Sequence, residues 1–167
     1  KRYQNRLWIE SASGDFGHHD PLPIDPWVLG SLLGDGGLSG TGTVKFSTAS
    51  AEMLQRLQER LDDDLEVVHD QAYDYRVVRR DRARVKGWVG MQPNPLRVAL
   101  EGLRLSGLTS DQKFIPLLYL EAHRAARLDL LRGLLDTDGW VERWGSVRFC
   151  TTSAQLAQGV AALARSL

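Results

Sequence analysis

The sequence has little of what marks a secreted or membrane-embedded protein. Its 167 residues include one cysteine, Cys150, so no internal disulfide can form, which fits a reducing compartment. No apolar run is long enough to cross a bilayer, and the first residues, Lys1 to Tyr3, lack the apolar stretch of a signal peptide. We therefore expect a cytoplasmic protein with no membrane partner.

An excess of charge of one sign is also missing. Lysine plus arginine and aspartate plus glutamate each number 21, which gives a net charge of zero. A DNA-binding protein usually carries a basic excess, so the sum counts against nucleic acid, although the distribution of charge matters more. The sequence also lacks phosphate-binding loops, zinc-ligand spacings and dinucleotide fingerprints.

What the sequence does contain is an internal repeat. A shift of 103 positions aligns Pro26–Gln55 with Asp129–Gln158 without a gap, and eleven of the thirty pairs are identical. We therefore divide the chain into an irregular segment (1–24), a first repeat (25–110), and a connector with a second, incomplete repeat (111–167). We expect a monomer whose halves are related by a pseudo-two-fold axis.

Local signals predict a repeating unit of helix, hairpin, helix, hairpin and helix. Polar residues that cap helices, such as Asp25, precede the helices, and β-branched and aromatic residues are frequent in the hairpins. Gly36 is expected to end the first helix in the left-handed conformation. The predicted helices are Trp27–Asp35, one capped by Ser50, one capped by Asn94, Ile115–Glu121, Arg124–Asp138 and Ser153–Leu167, and the predicted hairpins are Leu38–Thr48, Leu65–Val89 and Trp140–Cys150.

The repeated helix places small residues four positions apart, Gly30 with Gly34 and Gly133 with Thr137. Residues at i and i+4 share one helix face, and small side chains there let two helices approach closely. The two helices are therefore expected to pack against each other on the axis. The alternative is that each glycine only packs against a sheet.

Both repeated helices end in an acid followed by glycine, at Asp35 and Asp138. A carboxylate is unfavourable beside the C-terminal carbonyls of a helix, by roughly 0.3–1 kcal/mol. If the helices pair, the two acids converge, and a divalent cation such as Mg²⁺ would offset their repulsion. Either acid alone is explained as a solvated Asp-Gly turn residue, but the same position in both copies favours a metal-binding pair.

Two segments resemble the motifs that name the LAGLIDADG homing endonucleases: DPWVLGSLLGDGG at Asp25–Gly37 and LDLLRGLLDTDGW at Leu128–Trp140. Leu33 stands where the first motif has its earlier acid. DQKFIP at Asp111–Pro116 resembles the Lys-x-Ile-Pro block that precedes the second motif in intein endonucleases. The resemblance, which covers residues 21–167, is to a domain carried inside an intein, and it suggests a bacterial replicative helicase as host.

The resemblance implies an α+β fold in which two αββαββα units form a saddle, with the second unit incomplete here. It implies a Mg²⁺- or Mn²⁺-dependent endonuclease of the bacterial cytoplasm, associated with the nucleoid, that cuts both strands of DNA bound in the major groove. The flanking intein splicing domain and the host protein would be further partners. The implied catalytic residues are Asp35, Asp138 and Lys113, and the implied metal ligands are Asp35, Asp138, Gly34 and Thr137.

Lys113 has a physical reason to belong to such a site. Phosphoryl chemistry needs positive charge near the negative charge that develops at the phosphate. The alternative is an ordinary solvated loop lysine. The lysine equivalent to Lys113 in the second repeat cannot be assigned.

Basic residues cluster in the second hairpin, where alternate positions share one strand face. A two-stranded ribbon can enter the major groove, read base edges with arginine and hold phosphates with other cations. The alternative is a solvated hairpin balanced by Asp74 and Asp81, and the acidic run Asp62–Asp64 is expected on a helix, away from DNA. The candidate DNA contacts are Lys45, Arg76, Arg79, Arg80, Arg82, Arg84, Lys86 and Arg148.

Two other groups could carry chemistry. His18, His19 and Asp20 could ligate a metal, although adjacent histidines in an irregular loop are more often solvated. Cys150 aligns with Ser47 on a strand and is expected to be a packed thiol rather than a nucleophile.

Three functions remain open: an active double-strand endonuclease, a DNA-binding domain that no longer cuts, and a structural insertion in an intein. Retention of Asp35 and Asp138 favours the enzyme, whereas the unassigned second lysine favours the other two.

Overall fold

The computed structural model describes residues 16–40, 43–80 and 93–167, and shows a mixed helical and antiparallel β-sheet fold. The predicted α+β class is therefore confirmed. The last part of the predicted hairpin Leu65–Val89 lies outside the described residues. In chain order the elements are α1 (Pro26–Asp35), β1 (Gly36–Gly37), β2 (Val44–Ser47), α2 (Ala51–Arg60), β3 (Leu65–Gln71), β4 (Asp74–Arg79), α3 (Pro95–Gly102), α4 (Leu117–Leu120), α5 (Arg124–Asp138), β5 (Gly139–Val141), β6 (Val147–Phe149) and α6 (Ala154–Arg165).

Side-chain caps fix where the helices begin, as the sequence predicts. The Asp25 carboxylate accepts a hydrogen bond from the backbone N–H of Val28 at 3.0 Å, with Pro26 in the first turn of α1. Ser50 and Ser153, which are equivalent in the repeat, cap α2 and α6. Asn94 caps α3. The acidic run Asp62–Asp64, however, follows α2 rather than lying on a helix.

Glycine is required at the ends of α1 and α5 for a different reason from the one predicted. Gly36 has a φ of −78° and Gly139 a φ of −98°, so neither is in the left-handed region. A Cβ at Gly36 would lie 2.3 Å from the carbonyl oxygen of Leu32, and one at Gly139 would lie 2.4 Å from that of Leu135. Glycine is needed because the chain leaves each helix tightly against the helix's own backbone.

The first repeat forms a four-stranded antiparallel sheet with the strand order β1-β2-β4-β3. Successive side chains of a strand point to opposite faces. One face carries Val44, Phe46, Val77 and Leu65, all of which are buried in a core shared with α1 and α2. The other face carries the polar residues considered below.

The second repeat contributes only the pair β5 and β6 to a sheet among the described residues. Val141 and Val147 are 69% and 59% exposed, whereas their equivalents in the first repeat, Leu38 and Val44, are 4% and 5% exposed. The first pair is covered because β4 and β3 extend its sheet. Within the described residues nothing similar lies beside β6.

Helices α1 and α5 pack against each other more extensively than any other two described elements. A Cβ at Gly30 would lie 2.3 Å from the carbonyl oxygen of Leu130, and one at Gly133 would lie 2.2 Å from that of Trp27. The predicted helix pair is therefore confirmed, with the two glycines at the closest approach of the backbones. No described helix is long and apolar enough to span a bilayer.

Candidate functional site

The close packing of α1 and α5 brings the acids at their C-terminal ends, Asp35 and Asp138, into one site. Both carboxyls are about half-buried, and burial raises the pKa of each. The negative charge of Asp138 raises the pKa of Asp35 further, so the two groups lie close enough to repel each other. They are therefore not the independent, solvated turn residues of the alternative interpretation.

Lys113 supplies the positive charge of this site. Its side chain is 3% exposed, and its ammonium group donates hydrogen bonds to the carbonyl oxygens of Leu32 (3.2 Å), Gly34 (2.8 Å) and Gly36 (2.8 Å). Its charge lowers the pKa of Asp35 and of Asp138. Burial lowers the pKa of Lys113 itself, while the two carboxylates raise it. The solvated loop lysine considered as an alternative is wrong.

The second repeat holds Lys113 in place. The buried hydroxyl of Ser153 donates a hydrogen bond to the carbonyl oxygen of Lys113 at 2.6 Å and also caps α6. Two residues further on, Ile115 packs against Gly159 of α6. Sequence reasoning placed Ser153 only at the start of a helix, because a contact across 40 residues leaves no local signal.

A cleft of about 340 Å³ lies beside Asp138. Its lining includes Asp138, Lys113, Gly34 and Cys150. Cys150 was expected to be a packed thiol, but it is exposed. The expectation was wrong because this strand position faces away from the core in both repeats: the equivalent residue, Ser47, is also exposed.

Gly34 and Thr137 face each other across the helix pair. A Cβ at Gly34 would lie 2.0 Å from the hydroxyl oxygen of Thr137. That hydroxyl donates back to the carbonyl oxygens of Gly133 and Leu134 within its own helix, at 3.1 and 3.0 Å. The proton of the Thr137 hydroxyl is therefore engaged within α5, while its oxygen lies against Gly34 of α1.

A second polar contact between the repeats was missed by the sequence analysis. Asp136, the earlier acid of the second motif, accepts hydrogen bonds from the indole N–H of Trp27 at 2.8 Å and from Arg56 at 2.7 Å. It therefore ties α5 to both α1 and α2. Leu33, its equivalent in the first repeat, is instead buried in the core.

Two of the predicted DNA contacts, Lys45 and Arg76, lie together on the polar face of the first sheet. They are directly opposite each other on β2 and β4. Asp70 lies between them, 3.2 Å from the Lys45 ammonium and 3.1 Å from the Arg76 guanidinium. The sequence analysis named Asp74 and Asp81 as the acids that balance the basic residues of this hairpin, and it missed Asp70. In the structure, Asp74 accepts a hydrogen bond from Ser47.

The other basic residues predicted to contact DNA do not all lie on the face that carries Lys45 and Arg76. Arg79 does not share the face of Arg76: it lies opposite Leu65 in register, three positions along β4, with its guanidinium 3.6 Å from Asp64. The Arg80 side chain donates to the carbonyl oxygen of Leu65 at 2.9 Å. Arg148 on β6 lies 2.9 Å from Glu142. Three candidates, Arg82, Arg84 and Lys86, lie outside the described residues.

The histidine segment forms local contacts. His18 is bonded to the backbone of Leu118 at 2.7 Å, and His19 stacks on His123 with 4.8 Å between ring centroids. In the ranges 16–40, 43–80 and 93–167, no group of three or more His, Cys, Asp or Glu side chains is placed to hold a metal ion.

The donor set at the ends of α1 and α5 fits a hard divalent cation. It consists of two carboxylates whose repulsion is only partly offset by Lys113, together with the carbonyl oxygen of Gly34, which also accepts a hydrogen bond from Lys113. Mg²⁺ is commonly bound through one or two carboxylates, with water and phosphate oxygens completing its coordination. A zinc site would require more nitrogen or sulfur ligands than this pair offers.

Comparison with known proteins agrees with this architecture. Residues 125–167 match the family model of the LAGLIDADG-like domain. Together with the paired motif helices and the α+β fold, this match confirms the resemblance to LAGLIDADG proteins that was inferred from the motifs. The chain is 31% identical over 144 residues to the replicative DNA helicase DnaB of Mycobacterium intracellulare. That match covers 86% of the chain but only 19% of the length of this curated relative.

Proposed function

We propose that this chain is the DNA-cleaving domain of a homing endonuclease, carried within an intein of a replicative helicase. The observation that carries the proposal is the convergence of Asp35 and Asp138 at the ends of two closely packed helices, with the buried Lys113 beside them. The helicase context rests on the similarity to DnaB, whose sequence extends far beyond the matched region. The substrate is double-stranded DNA, bound in its major groove.

Asp35 and Asp138 would hold Mg²⁺ or Mn²⁺, with the carbonyls of Gly34 and Thr137 as further ligands. The bound ion supplies positive charge at the scissile phosphate and a more acidic water molecule. The two carboxylates must be ionised to bind it. Lys113 favours that state, because its charge lowers the pKa of both acids.

The chain itself supplies DNA contacts on both repeats. Lys45 and Arg76 lie on the polar face of the first sheet, and Arg148 lies at the equivalent of Lys45 on β6. Cations at these positions would hold phosphates or read guanine in the major groove. Arg80 is a further candidate, as are Arg82, Arg84 and Lys86 outside the described residues, whereas Arg79 is the weakest candidate because it lies on the opposite face. The flanking splicing domain and the host protein are the proposed protein partners.

A second candidate is a domain that binds DNA without cutting it. One observation favours it: the ammonium group of Lys113 makes three hydrogen bonds, all to backbone carbonyls of the first repeat. A lysine held in this way stabilises the end of α1 whether or not it assists catalysis. The two candidates differ in cleavage, not in DNA binding.

The test is incubation of the intact protein and Mg²⁺ with duplex DNA that spans the empty insertion site in the helicase gene. Asp35→Asn and Asp138→Asn should each reduce cleavage at least about a hundredfold, since each removes a carboxylate that holds the metal ion at the reacting phosphate. DNA affinity should remain within about twofold. Asp63→Asn, which changes an exposed acid after α2, is the matched control.

Cleavage that survives both active-site changes would overturn the metal site. Intact binding with no cleavage by the unaltered protein would establish the second candidate. Loss of binding together with cleavage would show that the acids are structural.

A further inference from the structure

Lys45 and Arg76 form a pair of like charges that the sheet places directly opposite each other. Such pairs destabilise a sheet unless a counter-charge lies nearby. Asp70 provides it, with one carboxylate oxygen 3.2 Å from the Lys45 ammonium and the other 3.1 Å from the Arg76 guanidinium. One acid on β3 therefore holds two cations on two other strands.

Asp70 lies at an irregularity of β3. The pairing with β4 shifts between His69 and Gln71, which leaves Asp70 without a partner in the ladder. A bulged residue of this kind is re-aimed relative to a regular strand. The Asp70 side chain reaches past Arg76 on β4 to Lys45 on β2, which is not adjacent to β3.

The position of Asp70 acts against the DNA binding proposed for this face. The Lys45 and Arg76 side chains are 46% and 41% exposed, so both are accessible to a phosphate, whereas the Asp70 side chain is 24% exposed. A carboxylate between two such cations repels any phosphate that approaches them. Exposed ion pairs are individually weak, so a phosphate can still replace the carboxylate, but only in competition with it.

We propose that Asp70 is a specificity-determining residue that lowers the affinity of this face for DNA of arbitrary sequence. The inference rests on the proposed function, because it assumes that this face meets DNA. On DNA of arbitrary sequence the two cations gain only phosphate contacts, and these contacts form in competition with the Asp70 carboxylate. On the correct site, base-edge contacts add to the phosphate contacts, and Asp70 can itself accept a hydrogen bond from a cytosine amino group. Its carboxylate therefore weakens non-specific binding more than specific binding.

The experiment measures binding of the intact protein to a random-sequence duplex by fluorescence anisotropy over a range of NaCl concentrations. Asp70→Asn keeps the size of the side chain and removes its charge. Asp64→Asn is the matched control, because it removes one acid paired with an arginine, Arg79, on the opposite face. Both variants change the net charge equally, so a difference between them reports the position of the acid.

Asp70→Asn should tighten non-specific binding by roughly tenfold at 0.1 M salt for each cation that gains a phosphate, and should steepen the slope of log affinity against log salt by about 0.9 per cation. Asp64→Asn should change neither quantity beyond the effect of net charge. Adding Lys45→Gln to Asp70→Asn should remove one of the two increases in affinity, the one contributed by Lys45. Thermal melting should show that every variant is folded.

The outcomes separate the two proposals. If the unaltered protein binds DNA and Asp70→Asn binds no tighter than Asp64→Asn, the role of Asp70 is refuted and the proposed function stands. Weaker binding by Asp70→Asn would refute the role too, since it would show that Asp70 orients the cations for DNA. If neither the protein nor Asp70→Asn binds duplex DNA at low salt, both proposals fail.

Discussion

Gly133→Ala tests the helix pair on which the site depends. The added methyl carbon would lie 2.2 Å from the carbonyl oxygen of Trp27 and 2.9 Å from the backbone nitrogen of Ser31. Both atoms belong to the backbone of α1, so no side chain can rotate to make room. Normal contact can be restored only if α1 and α5 separate by roughly 1 Å, which disrupts packing along a tightly packed interface.

The expected cost follows from this geometry. Overpacking a core by one carbon costs about 1–3 kcal/mol, and the rigid backbone neighbours here favour the upper end of that range. The gain in helix propensity from glycine to alanine, about 1 kcal/mol, offsets part of it. The free energy of unfolding should fall by about 2 kcal/mol, which corresponds to a decrease in Tm of roughly 4–8 °C for a chain of this size.

Gly102→Ala is the matched control, since a Cβ at Gly102 in α3 would meet nothing within 4 Å. This change should raise the free energy of unfolding by roughly 0.5 kcal/mol, because only the propensity term applies. Calorimetry and urea unfolding of the three proteins measure the difference. A Gly133→Ala protein as stable as Gly102→Ala would refute the close approach of α1 and α5, and with it the convergence of Asp35 and Asp138.

Two further predictions concern the acids and the connector. Without divalent metal, Asp138→Asn should be more stable than the unaltered protein at neutral pH by up to about 1 kcal/mol, after allowance for solvent screening. Folding raises the pKa of Asp138 above its ordinary 3.8, so the unaltered protein loses stability as the pH rises through the folded pKa; the advantage of the variant should disappear below pH 3.8. Urea unfolding in EDTA at several pH values measures this difference in stability. An Asp138→Asn protein whose added stability does not change with pH would contradict the prediction. Ser153→Ala should cost about 1–3 kcal/mol more than Ser50→Ala, because both lose a helix cap but only the first leaves the buried carbonyl of Lys113 without its donor. Equal losses in denaturant unfolding would show that Ser153 acts only as a cap.

The sequence determined the local elements and their duplication. Helix starts depend on residues within one turn, so Asp25, Ser50 and Asn94 could be assigned as caps from neighbouring residues alone. The small residues and terminal acids recur in both copies, and that recurrence was enough to predict that α1 pairs with α5. These features depend on spacings of three or four residues, which a sequence displays directly.

The tertiary structure decided which individual side chains meet across distant parts of the chain. The burial of Lys113 requires carbonyls 77–81 positions away, and its position is held by Ser153 from the other repeat. The bulge at Asp70 arises from the pairing of β3 with β4, and the same pairing places Arg79 on the face opposite Arg76. Composition and periodicity do not reveal these contacts, because burial and register are set by how the elements pack. The sequence therefore determined which helices meet and which acids they carry, while only the folded chain decided which charges neutralise them.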